Sequence, residues 1–274
     1  FKKMTKILIT LAICLGYIGI TLRLFKVVRL RENLQNSKHQ FATQFILMVV
    51  LLFHLWFLID HITVDSDLNF SLSSAISAIC WMALLSCWVF AFFYRLTVLY
   101  FLIIILTIIC LPFILVASPY PITLVNIDIF EIHPILSIAA YGIFTIAGLH
   151  TLIMVAAQKC LSRGKIPFYL ESLPPLLTME KILFRMIFIG LVFLSLALLT
   201  GMFFLNEETG NFLEFKHKIV FAISSWVIFV SLAAGRIFFG WRGKTAVKWT
   251  LLGYSVLFLA YIGTRFVVEI LLIN

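Results

Sequence analysis

Residues 97–116 read TVLYFLIIILTIICLPFILV, twenty consecutive positions without a charged side chain. A helix of that length extends about 30 Å, the thickness of a bilayer's hydrocarbon core. The pattern recurs along the chain. Apolar runs read as helices at about 7–22, 41–59, 74–93, 97–116, 135–156, 186–204, 219–239 and 249–272. Of 274 residues, 63% are hydrophobic and 12% charged, with a mean hydropathy of +1.12. Soluble domains hold about 45–50% apolar and about 25% charged residues, so a water-soluble globular enzyme and a disordered chain are both excluded. The runs are too long for the roughly ten-residue alternating strands of a membrane barrel. The expected fold is therefore all-α: a polytopic integral membrane helix bundle of about eight transmembrane helices. No repeat or long linker divides it, so 1–274 reads as a single membrane domain.

The net charge is +9, from 21 Lys and Arg against 12 Asp and Glu. In a soluble chain this excess would suggest nucleic acid, but here its distribution points to orientation and to no nucleic-acid partner. Fifteen of the 21 basic residues fall on one side, in the segments 23–40 and 157–185, at Arg95, and at Arg236, Arg242, Lys244 and Lys248. The segments 60–73 and 117–134 have none and hold Asp60, Asp65, Asp67, Asp128 and Glu131. Basic loops stay cytoplasmic, so 23–40, 157–185 and 240–248 are expected inside and both termini outside. Lys2, Lys3 and Lys6 pull the other way, and an odd span count with a non-spanning first run is the alternative. The opening Lys2-Lys3…Lys6 lacks a small-residue cleavage site, which favours a first transmembrane helix over a signal peptide.

Cys14, Cys80, Cys87, Cys110 and Cys160 form no C-x-x-C pair and no zinc spacing, and read as small core residues rather than redox or metal groups. No Ser/His/Asp or paired-carboxylate arrangement supports hydrolysis, so the chain is expected not to be an enzyme.

Histidine is rare and costly inside membranes. Six occur. On this topology His61, His133 and His217 lie at the outer face, His54 in the outer half of its span, His150 near an inner end and His39 in a basic inner loop. His133-Pro134-Ile135-Leu136 and His217-Lys218-Ile219-Val220 each precede an inward-running span, with Pro134 suited to a first helical position. Both imidazoles would then sit at helix N-termini, whose dipole disfavours imidazolium and leaves the neutral ring that a metal ligand requires. Two such histidines can clamp a haem iron axially. The alternative is that both are interfacial polar residues or caps. His54 is the weaker candidate, with an interhelical hydrogen-bonding role as its rival. Arg265 and Glu269 share a helix face four residues apart; a local ion pair is the default there, and a haem propionate contact for Arg265 the alternative. Arg236 with Gly240-Trp241-Arg242-Gly243 forms a basic inner corner that reads as an interfacial anchor, and Glu171 and Glu180 read as solvated.

Across 133–270 a series of motifs resembles the cytochrome c assembly protein superfamily (CcsA, CcmC, CcmF), most closely its HemX/YpjD branch. They are His133-Pro134-Ile135-Leu136-Ser137 with Ala140-Tyr141-Gly142; Leu173-Pro174-Pro175-Leu176-Leu177 with Met179-Glu180 and Leu183-Phe184-Arg185; Leu199-Thr200-Gly201; His217-Lys218 with Ser224-Ser225-Trp226; Gly240-Trp241-Arg242-Gly243; and Gly253-Tyr254 with Tyr261-Ile262-Gly263. His54 and Leu68-Asn69-Phe70-Ser71-Leu72 resemble it more loosely. The resemblance implies haem handling at the outer face of the bacterial inner membrane, with His133 and His217 as axial ligands and haem as the cofactor. It also implies an accessory or regulatory role beside cytochrome c maturation or haem-synthesis proteins, within a membrane-lipid setting. The departure is the segment 206–215, Asn206-Glu207-Glu208-Thr209-Gly210-Asn211-Phe212-Leu213-Glu214-Phe215, which lacks the tryptophan-rich motif of those relatives and offers only Phe212 and Phe215. A haem-free membrane regulator or scaffold of a soluble partner, working through 157–185, is the first rival. A small-molecule transporter is the second, although no inverted repeat or broken helix marks one.

Overall fold

The computed structural model describes residues 2–29, 37–64, 67–68, 71–94, 96–115, 128–164, 173–209 and 217–260. Eight α-helices account for most of them: α1 (Lys2–Arg29), α2 (Ser37–Ile62), α3 (Leu72–Phe90), α4 (Thr97–Cys110), α5 (Asp128–Ser162), α6 (Leu176–Thr209), α7 (His217–Phe238) and α8 (Lys244–Phe258). The only strands among the described residues are β1 (Thr63–Val64) and β2 (Asp67–Leu68), an antiparallel pair between α2 and α3 with Thr63 opposite Leu68. Among the described residues, seven helical segments are long and apolar enough to cross a membrane: Met4–Lys26, Phe41–Ile62, Leu72–Phe90, Thr97–Leu115, Ile132–Ser162, Leu176–Phe203 and His217–Phe238. They coincide with the first seven expected runs. Of the eighth, 249–272, residues through 260 are helical and the remainder lies outside the described residues. The helices turn large apolar side chains outward, Leu11, Leu15 and Leu22 on α1 and Val192, Leu199 and Phe203 on α6 among them. In water each would be costly, whereas lipid covers them without penalty. The protein is a polytopic helical membrane protein.

Two compact units divide the chain read above as one domain: residues 1–124 with 157–174, and residues 125–156 with 175–274. In the first, α1 packs on α2 and α4, α2 on α3, and α3 on α4. Ser71 caps α3, its hydroxyl accepting from the Ser74 amide at 3.2 Å, the usual satisfaction of an orphan N–H at a helix start. Pro112 lacks the N–H that α-geometry requires, and α4 tightens there into a 3-10 helix at Leu111–Leu115. The buried centre of this unit includes Tyr17, Phe57, Leu84, Leu99 and Ile103.

In the second unit α7 packs on α6 and on α8, and glycines set the close approaches. Phe144 stacks on Phe229 with ring centroids 3.9 Å apart. The flanks of that stack are Gly190 and Gly253, where a methyl group would come within 2.9 Å of Phe144 Cζ and Phe229 Cζ respectively. Ser225 donates to the Gly253 carbonyl at 3.1 Å, and the Trp226 indole donates to Ser195 Oγ at 2.8 Å.

The start of α5 differs from expectation. The helix begins at Asp128, so Pro134 is its seventh residue and lies inside it, not at its first position. Pro134 removes a single backbone bond, the one to the Phe130 carbonyl.

Candidate functional site

His133 is held by α6. Its Nδ1 lies 2.9 Å from the Ala197 carbonyl oxygen and 3.3 Å from Thr200 Oγ1. Thr200 itself donates to the Leu196 carbonyl at 2.9 Å, so its hydroxyl proton is committed within the helix. A carbonyl only accepts, which places the ring proton on Nδ1 and leaves the lone pair of Nε2 uncommitted. No described residue hydrogen-bonds Nε2. The ring fits because residue 201 is glycine: a methyl group there would sit 2.9 Å from His133 Cε1. Leu199-Thr200-Gly201 is thus the seat of the imidazole. Because α5 starts five residues before His133, the helix N-terminus does not govern the imidazole as the sequence reading expected; a hydrogen bond donated to the neighbouring helix fixes its tautomer.

His217 is the first residue of α7, and it is exposed. Lys218, next to it, lies within electrostatic reach of His133. The start of α7 therefore falls at the same end of this unit as the His133 seat. Arg265, the candidate propionate contact, and Glu269 lie outside the described residues, as does 210–215 of the tryptophan-free segment.

His54 belongs to the first unit and is fully buried. Its Nδ1 meets Tyr17 Oη at 2.9 Å and its Nε2 meets Ser77 Oγ at 3.0 Å. Both nitrogens are engaged, which joins α1, α2 and α3 and leaves no lone pair for iron. His150, also buried, donates from Nε2 to the Met179 carbonyl at 2.9 Å. His61 Nδ1 is 3.4 Å from Lys6 Nζ.

The basic corner is more than an anchor. Arg236 donates to Glu180 Oε1 at 2.8 Å and to the Trp241 carbonyl at 3.2 Å, and lies 4.6 Å above the Phe184 ring. The Gly243 amide donates to Glu180 Oε2 at 3.2 Å. Gly240 and Gly243, with φ of 65° and 57°, supply the left-handed backbone that this turn requires. The reading of Glu180 as solvated is corrected: it is buried, because a carboxylate with an arginine and an amide on its two oxygens keeps its charge satisfied away from water.

Sequence reasoning missed Ala197, Thr200 and Gly201 as partners of His133, and Tyr17 and Ser77 as partners of His54. The first set carried a signal, the Leu199-Thr200-Gly201 motif, without any indication of what it faced. The second carried only isolated polar residues in apolar runs.

The fold and the His133 seat define a multi-span helical membrane protein with an imidazole held between two of its helices. The family model described as "Cytochrome C assembly protein" matches residues 39–272, and the chain belongs to that family. Among its relatives, the inner membrane protein YpjD of Escherichia coli K12 is 32% identical over 140 residues, 51% of this chain and 52% of that protein. An uncharacterized 28.8 kDa protein of Azospirillum brasilense is 29% identical over 142 residues, 52% of each chain. The cytochrome c biogenesis protein CcsA of Heterosigma akashiwo is 31% identical over 91 residues, 33% of this chain and 28% of that protein. The chain spans about half the length of the first two and a smaller share of the third.

Proposed function

We propose that this membrane protein binds haem at the His133 end of its second unit and handles it in an accessory or regulatory role in cytochrome c maturation or haem metabolism. The observation that carries the reading is the Nδ1–H of His133 donating to the Ala197 carbonyl. Metal-bound imidazoles characteristically donate their second nitrogen to a carbonyl or carboxylate, which fixes the tautomer and aims the free lone pair. Haem, when bound, supplies an iron with axial positions for such nitrogens. His133 would hold the iron through Nε2, and His217 at the start of α7 would be the second ligand. Lys218 sets a positive charge on the same side, suited to a propionate. His54 has a structural role in this reading.

Family membership and the naming of relatives as cytochrome c biogenesis proteins support the assignment. By the positive-inside rule the loops 23–40, 157–185 and 240–248 are cytoplasmic, so the site faces outward from the bacterial inner membrane. The protein acts without catalysis, with cytochrome-maturation or haem-synthesis proteins as its partners.

The test is a haem titration of purified protein followed by visible absorption. A saturable Soret shift, lost in His133→Ala and weakened in His217→Ala, is expected. An unshifted spectrum, or one indifferent to both substitutions, overturns the reading.

A further inference from the structure

A cavity of about 260 Å³ opens between α1 and α2 in the first unit, lined by Leu15, Gly19 and Arg23 on one helix and Thr43 and Ile46 on the other. The α1 residues are spaced by four and share one helix face. The two helices pack together, and Gly16 permits the contact, since a methyl group there would come within 3.0 Å of Val50 Cγ2. One turn on, at Gly19, a methyl group would meet nothing within 4 Å, so the space above it is open. The walls change in polarity with depth. Arg23 lies three residues before the end of the Met4–Lys26 span and Thr43 two residues after the start of Phe41–Ile62, so both stand about 3–5 Å inside the apolar region. Gly19 and Leu15 lie one and two turns deeper on α1, and Ile46 one turn deeper on α2. Arg23 is half-buried, and no described residue hydrogen-bonds to its guanidinium or pairs with it.

We propose that this groove holds one anionic phospholipid, its phosphate on Arg23 and one acyl chain running over Gly19 toward Leu15 and Ile46. Charge selects the headgroup. A half-buried guanidinium with no acidic partner is satisfied by an anion, and its forked N–H groups match the oxygens of a phosphate. Lys26, exposed three residues further on, adds a second positive charge at the same end. Basic pockets between membrane helices take anionic headgroups on this principle. Shape selects the tail. The cavity exceeds the roughly 150 Å³ apolar void that takes up benzene, and its deep end, walled by Leu15, Gly19 and Ile46, offers water no partner. The passage from charged to apolar walls along the bilayer normal is that of an amphiphile. A free phosphate leaves the deep half empty, and hydrocarbon alone leaves Arg23 without a counter-ion. Arg23, read from the sequence only as one of the basic residues that set orientation, thus has a ligand of its own.

The experiment uses the whole protein in phosphatidylcholine vesicles carrying a trace of phosphatidylglycerol with a diazirine on one acyl chain. After photolysis the labelled peptides are mapped. Label concentrates in 15–20 and 43–46, and unlabelled phosphatidylglycerol displaces it. Phosphatidylcholine bearing the same diazirine labels these peptides about fivefold less, the worth of one basic residue facing an anionic headgroup. Arg23→Gln lowers the phosphatidylglycerol labelling by the same factor, whereas Arg242→Gln, an exposed residue of the second unit, leaves it unchanged. Gly19→Leu fills the open space and abolishes the labelling, with thermal unfolding in detergent reporting that the fold is retained. Equal labelling by the two probes, labelling indifferent to Arg23→Gln, displacement by inorganic phosphate, or a groove that neither probe labels overturns the proposal.

Discussion

The Ala197 carbonyl oxygen lies 2.9 Å from Nδ1 of His133, sixty-four residues earlier in the chain. That one bond decides which nitrogen of the imidazole carries the proton and which is open to a ligand. It also explains why residue 201 is glycine, since the ring occupies the space a side chain would take.

Gly201→Ala therefore displaces the imidazole. Supporting residues around a metal ligand characteristically cost about 10–100-fold in affinity when altered. A Soret titration of this variant should give haem affinity lowered by about that factor, with the spectrum at saturation retained. Affinity equal to that of the unsubstituted protein would show that the seat does not hold the ligand.

His54→Phe should leave the same titration unchanged, because both of its nitrogens are already engaged. Its effect is on stability. Two interhelical hydrogen bonds vanish and Tyr17 Oη and Ser77 Oγ lose their shared partner, a loss of about 1–3 kcal/mol at about 0.6–1 kcal/mol per membrane hydrogen bond plus the unpaired groups. Thermal unfolding in detergent measures it. Tyr17→Phe should cost less, about 1 kcal/mol.

Glu180→Gln removes the charge facing Arg236 while keeping the side chain's shape. A charge-assisted hydrogen bond is lost and a partly buried guanidinium is left without its counter-ion, so about 2–3 kcal/mol of stability should go. The double variant Glu180→Met, Arg236→Met should lose less than the single variant, since it leaves no orphan charge. A double-mutant cycle read by detergent-resistant unfolding separates the two cases.

Two glycine substitutions should act in opposite directions. At Gly190 a methyl group meets the Phe144 ring at 2.9 Å, and Gly190→Ala should destabilise by about 1–3 kcal/mol through overpacking. At Gly19 nothing lies within 4 Å, and Gly19→Ala should stabilise α1 by about 0.5–1 kcal/mol through lower chain entropy in the unfolded state. The same melting experiment reads both.

Much of the architecture was legible in the chain. Runs such as 97–116 have one low-energy environment, a helix in hydrocarbon, because an unpaired backbone amide there costs several kcal/mol. His217 at a helix start followed from the end of a polar segment. The start of α5 was less legible: Pro134 is a familiar helix opener, and nothing local said that Asp128 would begin the helix a turn and a half earlier. Glu180 illustrates a different limit. A carboxylate in a loop-like segment is usually solvated, and only the return of Arg236 and Gly243, more than fifty residues later, makes its burial tolerable.

The sequence by itself determined that this is a multi-span helical membrane protein and that His133 and His217 stand where spans begin. These follow from local hydropathy and charge, which act over one helix length. The tertiary structure alone decided the chemistry of the polar groups: that the Ala197 carbonyl and Gly201 hold His133 with its proton on Nδ1, that Tyr17 and Ser77 occupy both nitrogens of His54, and that Glu180 is buried against Arg236. Inside a bilayer a polar side chain is defined by the partner that satisfies it, and that partner comes from another helix.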